Sequence, residues 1–239
     1  MGGERTVTIP RWAQGRPGMG QGGWCAATFE DAIGEPVTID FRSAIPLEEP
    51  MVLRAVEGGW ELRHEGRLVM AARLRDIPFT STSPVTIDAA ARASQAFLGA
   101  DDDHDAPACF SCGVSEPTMG IRPGPLEDGT GRVACPWVPP AWVCSTAGVV
   151  ERAVVSTVMD CTQGFFVGHL PARRQALTAR YAVEVLGRCH VGERYAIVAY
   201  DGAGNGWDGR KRMAAAAVFD AAGQLVARAD SLWVEPRPA

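Results

Sequence analysis

The sequence predicts an α+β fold in which two similar units follow one another along the chain. Residues 149–166 are apolar nearly all round when read at about 3.6 residues per turn, which is typical of a buried helix. A series of short strands with alternating apolar and polar residues follows this helix, and a similar series follows a shorter helix near residue 24. One curved antiparallel sheet can wrap one apolar helix, so we expect each unit to be a helix covered by its own sheet.

An internal repeat supports this interpretation. Residues 66–71, which read GRLVMA, and residues 223–228, which read GQLVAR, occupy the same place in the two series of strands. Each unit also has the same order of elements, namely a helix, a strand and then a meander of further strands. We therefore predict two copies of one α+β unit that pack as a pseudo-dimer within one chain.

The composition of the chain argues against several classes of function. The chain has 239 residues, of which 46% are hydrophobic, and this is enough apolar material for a sizeable core. Its net charge of −5 and its lack of a basic block argue against nucleic-acid binding. No apolar run approaches the roughly 20 residues that a membrane-spanning helix needs. The first residues lack the apolar region of a signal peptide, so we expect a cytoplasmic protein without membrane attachment.

The first unit is expected at residues 1–76. A glycine-rich turn at residues 18–23 leads into a short helix, and Gly34 and Pro36 mark the end of that helix. Alternation of apolar and polar residues then predicts four strands, separated by turn signals such as Gly58-Gly59. These predicted strands are residues 36–46, 50–57, 60–64 and 67–74.

The rest of the chain is divided into a connecting segment and a second unit. Residues 77–108 contain several prolines and an acidic run, and we predict that they connect the units and include a helix at 87–98. Residues 109–239 form the second unit around the apolar helix. Its strands are predicted at residues 131–138, 175–186, 193–200, 212–219 and 224–234.

One polar line on the apolar helix singles out Asp160. Ser156, Asp160 and Gln163 have the spacing of residues that share one helix face. Solvated helix faces are usually rich in lysine, arginine and glutamate, and after Arg152 this face has none of them. An ionised carboxylate in apolar surroundings is costly without partners or a chemical role. We favour a buried or cleft-lining Asp160, although the helix alone leaves an ordinary solvated face open.

Seven cysteines are present, and Cys109 and Cys112 form a CxxC motif. The number is odd and no secretion signal precedes them, so we expect reduced thiols. A structural zinc site usually draws its ligands from two such pairs, and the sequence has no second pair. We therefore interpret the motif as a turn with two thiols, and we expect neither a metal site nor a cofactor.

Several short motifs, taken in order, resemble those of double-hotdog acyl-CoA thioesterases. They correspond to the start of the first helix, the entry to a hotdog domain, the acidic segment of the hotdog helix and a late hairpin. Their order is a stronger signal than any single motif. The motifs are residues 20–24 (GQGGW), 109–113 (CFSCG), 119–122 (MGIR), 158–161 (VMDC), 209–211 (GRK) and 223–227 (GQLVA).

The resemblance implies a double hotdog that hydrolyses an acyl-CoA or a related thioester. In such enzymes an acidic residue on the helix of one unit activates water or attacks the substrate, and Asp160 is the matching residue here. Backbone N–H groups at the start of the facing helix polarise the thioester carbonyl, which indicates Gly22 and Gly23.

The resemblance also implies residues that hold the attacking water and the substrate. A threonine on the next strand matches Thr178, whereas Ser231 stands where such enzymes have a glutamine near the last strand. Gln163, one turn after Asp160, is the expected substitute for that glutamine. Arg210 and Lys211 are expected to meet the CoA phosphates, with solvated edge protection as the alternative role of this charged pair.

Other functions remain open for such a fold. Hotdog dehydratases need a histidine paired with an acid, and the fifth residue after Asp160 is Phe165 rather than a histidine. A non-catalytic acyl-CoA or lipid-binding module and an acyltransferase are the further alternatives. The expected partner is a thioester substrate, and assembly into a homo-oligomer through sheet edges is left open.

Overall fold

The computed structural model describes residues 4–76, 78–99, 106–115, 117–169, 175–204 and 206–237. Over these ranges the chain forms three α-helices and one antiparallel sheet. The helices are α1 (Gly22–Ile33), α2 (Ile87–Ser94) and α3 (Arg152–His169). The strands are β1 (Arg5–Val7), β2 (Val37–Phe41), β3 (Met51–Val56), β4 (Gly59–His64), β5 (Arg67–Leu74), β6 (Gly124–Pro125), β7 (Val133–Trp137), β8 (Leu177–Val185), β9 (Tyr195–Asp201), β10 (Trp207–Asp208), β11 (Lys211–Asp220) and β12 (Leu225–Val234).

The two halves of the sheet share one topology. The first half runs β1-β3-β4-β5-β2, the second runs β8-β12-β11-β9-β7-β6, and β10 pairs with β11. Strands β1 to β5 therefore correspond in order to β7, β8, β9, β11 and β12. The halves meet where β2 pairs with β8, with Ile39 opposite Tyr181 and Asp40 opposite Arg180. This arrangement confirms the predicted pair of α+β units, and the repeated GRLVMA and GQLVAR segments lie in the corresponding strands β5 and β12 and the turns before them.

Helix α3 is buried along almost its whole length. Residues 153–163 and 165–167 are all buried. The helix packs against α1 on one side and against strands of the second half of the sheet on the other. It therefore presents little surface to solvent, which explains why its sequence lacks a face rich in charged residues.

The start of α3 differs from the prediction. The helix begins at Arg152 instead of residue 149 and ends at His169 instead of residue 166. Val149 forms a β-bridge with His190, and the N–H of Val150 donates to the carbonyl of Cys189 at 2.9 Å. Pairing with a distant segment therefore holds these two valines in extended backbone, which β-branched residues adopt readily.

All nine predicted strands are present in the predicted order, and most of their bounds differ by one or two residues. The largest difference is at residues 36–46, where β2 ends at Phe41. The N–H groups of Arg42 and Ser43 both donate to the carbonyl of Val69, which ends the regular ladder. The short strands β1, β6 and β10 were not predicted, because so few residues carry no periodic signal.

Helix α2 gives the second unit a further layer. It spans Ile87–Ser94 rather than 87–98, and the Thr86 hydroxyl caps it by accepting from the N–H of Ala89 at 3.2 Å. Its buried residues Ala90 and Ala93 pack on the face of the sheet opposite α3, together with small and aromatic residues of β7, β9 and β11. Part of the segment expected to connect the units therefore belongs to the core of the second one.

Glycine at the start of α1 lets the two central helices approach closely. A Cβ atom on Gly23 would lie 2.5 Å from the carbonyl oxygen of Ser156, a distance that real Cβ atoms do not show. The Ser156 hydroxyl donates to the carbonyl of Gly23 at 2.7 Å. The backbones of α1 and α3 are therefore in direct contact, with no side chain between them at this point.

No helix among the described residues is both long enough and apolar enough to cross a membrane.

We expect Gly23→Ala to lower the free energy of unfolding by about 1–3 kcal/mol, because the added methyl group meets backbone that cannot rotate away. Urea denaturation of the purified chain measures this. Gly187→Ala is the matched control, since its Cβ would meet the nearest atom, on Val226, at an ordinary 3.5 Å. Equal stability of the two variants would contradict the close helix contact.

Candidate active site

A cavity of about 490 Å³ lies beside the contact between α1 and α3. This volume is within the range of about 300–1,000 Å³ that small-molecule sites occupy. Four polar or backbone groups come together in its wall, namely those of Gln21, Gly22, Asp160 and Thr178. The rest of the wall is mostly apolar. Its larger apolar side chains are Phe41, Ile45, Leu98, Phe165, Leu177 and Trp233.

Asp160 supplies the carboxylate of this cavity and is only 5% exposed. Its Oδ1 accepts a hydrogen bond from the Thr178 hydroxyl at 3.0 Å, and its Oδ2 accepts one from the Gln21 side-chain amide at 2.6 Å. The backbone N–H of Gly23 also donates to the carboxylate. Strand β8 thus contributes one group that holds Asp160, and the start of α1 contributes two.

Burial raises the pKa of Asp160 from its ordinary value of 3.8 to about 6. The hydrogen bonds from Thr178, Gly23 and Gln21 oppose this rise, because they stabilise the ionised form. The partial positive charge at the N-terminus of α1 acts in the same direction as these bonds. The result is a carboxylate that is ionised at neutral pH but more basic than an exposed aspartate, as a proton acceptor requires.

Gln21 is a site residue that sequence reasoning missed. It is the N-cap of α1, where its side-chain oxygen accepts from the N–H of Trp24 at 2.7 Å, while its amide nitrogen donates to Asp160. It lies within the quoted motif at residues 20–24, but glutamine is not among the usual N-cap residues. The feature of the sequence that could have identified Gln21 is its position directly before a helix that begins with two glycines.

Gly22 brings the backbone of α1 against the carboxylate. A Cβ atom at this position would lie 2.9 Å from Oδ2 of Asp160. Gly22 lines the cavity, whereas Gly23 does not. Within the described part of the chain, no group accepts a hydrogen bond from the N–H of Gly22. The two glycines therefore differ: the N–H of Gly23 donates to Asp160, whereas the N–H of Gly22 has no acceptor among the described residues.

Gln163 and Ser231 lie away from the cavity. The Gln163 amide donates to the carbonyls of Ala229 at 3.1 Å and Ala214 at 3.5 Å. The Ser231 hydroxyl donates to the same Ala214 carbonyl at 3.2 Å and accepts from the Trp233 indole at 2.7 Å. Both side chains thus bond to strands β11 and β12, and neither lines the cavity wall where Asp160 lies.

Arg210 and Lys211 also lie outside the cavity lining. The Arg210 guanidinium donates to the carbonyl of Glu235 at 2.9 Å, and Lys211 stands opposite Asp208 in the β10–β11 pair. Two arginines and a histidine do reach the cavity wall, and none of them is among the predicted site residues. These are Arg16, Arg42 and His169.

No family model matches the sequence, and no curated protein matches it. Solved structures match it along nearly its whole length. A protein of Alicyclobacillus acidocaldarius described as having a hot dog fold superposes with a TM-score of 0.62 at 15% identity, covering 99% of this chain and 94% of that one. The tesB protein of Mycobacterium avium subspecies paratuberculosis superposes with a TM-score of 0.60 at 14% identity, covering 98% and 93%.

This chain is a double hotdog. The whole-length superpositions agree with the two corresponding halves of the sheet, each with its own central helix. At such low identity the likeness shows the fold, and the chemistry has to be argued from the residues in the cavity.

The two units of the double hotdog differ at the position of Asp160. Asp160 is the ninth residue of α3, and the ninth residue of α1 is Glu30. Arg152, at the start of α3, forms ion pairs with Glu30 and, at 2.9 Å, with Asp31. Burial raises the pKa of Glu30, and the charge of Arg152 opposes that rise. Glu30 is therefore held by a cation and does not line the cavity, whereas Asp160 is held by neutral donors and does.

We expect Arg152→Met to destabilise the fold by about 1–3 kcal/mol, because it leaves the largely buried Glu30 carboxylate without its charged partner. Thermal or urea unfolding measures this. Arg54→Met is the control, since Arg54 pairs with Glu4 where both side chains are more than half exposed, and we expect a change below about 1 kcal/mol there. A smaller effect for Arg152→Met than for Arg54→Met would contradict a structural role for the Glu30 pair.

Proposed function

We propose that this double hotdog hydrolyses an acyl-CoA or a related thioester, with Asp160 as the general base. The observation that carries the proposal is the pairing of two groups in one cavity wall. One is the buried carboxylate of Asp160, and the other is the backbone N–H of Gly22 at the N-terminus of α1. Thioester hydrolysis needs both a proton acceptor for water and a donor for the carbonyl oxygen.

Gly22 serves as the electrophile in this proposal. Its N–H lies at the positive end of α1, where negative charge is stabilised. The carbonyl oxygen of a bound thioester gains negative charge when water attacks, so a fixed donor at this place stabilises the transition state more than the ground state. Glycine at this position leaves room for the carboxylate, because a Cβ atom would lie 2.9 Å from Oδ2 of Asp160.

Asp160 takes the proton of the attacking water. The new C–O bond forms at the thioester carbon, the C–S bond breaks, and the thiolate leaves and takes up a proton, giving a free acid and a thiol. Thr178 and Gln21 fix the orientation of the carboxylate from two sides. Gln163 and Ser231 take no part in holding the water, because their hydrogen bonds go to the sheet.

The cavity also suits a substrate with an apolar acyl group and an anionic carrier. Apolar side chains such as Phe165, Leu177 and Trp233 would contact the acyl chain. Arg16 and Arg42 line the same cavity, and we assign to them the contact with the CoA phosphates that the resemblance suggested for Arg210 and Lys211.

We expect Asp160→Asn to lower kcat by about 10²- to 10⁴-fold, the range typical of a lost general base. Thiol release from short, long and aromatic acyl-CoAs measures this. Asp230→Asn is a matched control, because Asp230 is a partly buried carboxylate that also accepts from a threonine, Thr80, at 2.7 Å but lies outside the cavity. We expect this control to keep its activity.

Two results would count against the proposal. Activity of Asp160→Asn close to that of the wild type would remove Asp160 from the reaction. Tight binding of acyl-CoA by the wild type with no thiol release from any substrate would support a binding module instead. Unfolding curves of each variant separate loss of activity from loss of fold.

We expect Thr178→Val to reduce kcat by roughly tenfold to a hundredfold, because it removes a hydrogen bond to a charged group worth about 1.5–3 kcal/mol. Thr178→Ser keeps the hydroxyl and should retain most of the activity. The same thiol-release assay compares the two variants. Activity kept in Thr178→Val and lost in Thr178→Ser would show that the threonine methyl group, and not its hydroxyl, is what matters.

A further inference from the structure

Three cysteine side chains come together in the wall of the cavity. The Sγ atoms of Cys109, Cys112 and Cys161 all lie within 4.8 Å of one another, and all three residues are buried. The Cys109 and Cys161 sulfurs are 3.8 Å apart. All three residues line the cavity that also contains Asp160. The sequence alone did not connect Cys161 with the CxxC pair, because helix α3 brings it there from a distant part of the chain.

The spacing of these sulfurs suits a tetrahedral ion. Zinc–sulfur bonds of about 2.3 Å place the sulfurs of a tetrahedral site about 3.8 Å apart. The Cys109–Cys161 distance has this value, and no pair in the cluster exceeds 4.8 Å. Three sulfurs at these distances can occupy three corners of one coordination tetrahedron.

The CxxC turn directs backbone donors at the sulfur of Cys109. The backbone N–H groups of Ser111 and Cys112 donate to the Cys109 sulfur. The turn closes with the Gly113 N–H donating to the Cys109 carbonyl at 2.8 Å. A Cβ atom on Gly113 would lie 2.4 Å from that carbonyl oxygen, so this turn requires glycine. The same donors would orient the Cys109 sulfur as a metal ligand.

Nearby groups also offset the charge that such a site would carry. A divalent cation with three thiolates has a net charge of −1. Arg122 lies beside the turn, where its guanidinium donates to the carbonyls of Cys112 and Gly113, each at 2.9 Å. The Gln21 amide lies 3.6 Å from the Cys161 sulfur. A cation and a neutral donor therefore lie next to the three sulfurs, whereas the Asp160 carboxylate lies near enough for its charge to repel that of Cys109.

We propose that Cys109, Cys112 and Cys161 bind one Zn²⁺ ion as three thiolates, with the fourth position on the cavity side. On binding, the three thiols release their protons to solvent and no electron is transferred. The ion would fasten the CxxC turn to α3 at the residue after Asp160. This proposal stands apart from thioester hydrolysis, because its evidence and its test concern ion binding alone.

The test is Co²⁺ and Zn²⁺ binding to the full chain, freed of any histidine tag and reduced with a phosphine. We expect one Co²⁺ per chain, the thiolate-to-cobalt charge-transfer absorption of a tetrahedral site, and its displacement by one equivalent of Zn²⁺. Cys109→Ser, Cys112→Ser and Cys161→Ser should each weaken the absorption and lower Zn²⁺ affinity by more than about tenfold. Cys135→Ser is the control, because Cys135 is equally buried but lies outside the cluster.

A second measurement on the wild type guards against variants that fail to fold. Because Zn²⁺ would bind the folded chain, the Tm should rise with Zn²⁺ concentration and fall again with a chelator. The proposal is overturned if the reduced wild type shows neither a charge-transfer absorption nor a rise in Tm. It is also overturned if Cys135→Ser loses binding as the cluster variants do, or if the cysteines form a disulfide in air that Zn²⁺ does not prevent.

Discussion

The direct backbone contact between α1 and α3 is the constraint on which the rest of the site depends. It requires glycine at position 23, where a Cβ atom would meet the Ser156 carbonyl, while glycine at position 22 leaves room for the Asp160 carboxylate. It also brings the N-terminus of α1 against this largely buried carboxylate in the middle of α3. Burial raises the free energy of an ionised carboxylate, and the hydrogen-bond donors at the start of α1 offset that rise. The same residues at the start of α1 therefore determine how closely the helices pack and which donors face the Asp160 carboxylate.

The same crossing of two helices is used differently by the two units. At the start of α1, glutamine and glycine present neutral N–H donors to Asp160, and a cavity opens beside them. At the start of α3, Arg152 presents a cation to Glu30, which is then held in an ion pair. Burial raises the pKa of both carboxylates, and the groups that hold each of them oppose the rise. The two units thus place one carboxylate in the cavity wall and the other in an ion pair between the helices.

The cavity wall joins parts of the chain that have separate structural roles. Strand β8 supplies Thr178 next to the central pairing with β2, and the CxxC turn supplies two sulfurs beside α3. Because Cys161 directly follows Asp160, whatever holds Cys161 also limits the movement of the carboxylate. The geometry of the site is therefore set by the helix contact on one side and by the cysteine cluster on the other.

The sequence by itself determined the fold class, the two-unit organisation, the order of the main strands and the burial of the second helix, since these follow from local periodicity and turn residues. It also singled out Asp160, and the resemblance to double-hotdog thioesterases indicated Thr178 and the glycine pair. Only the tertiary structure decided that Val149 leaves the helix to pair with His190, that Gln163 and Ser231 face the sheet, and that Cys161 joins the CxxC turn. These outcomes depend on contacts between residues far apart in the chain. Such contacts produce no periodic pattern in the sequence of either segment.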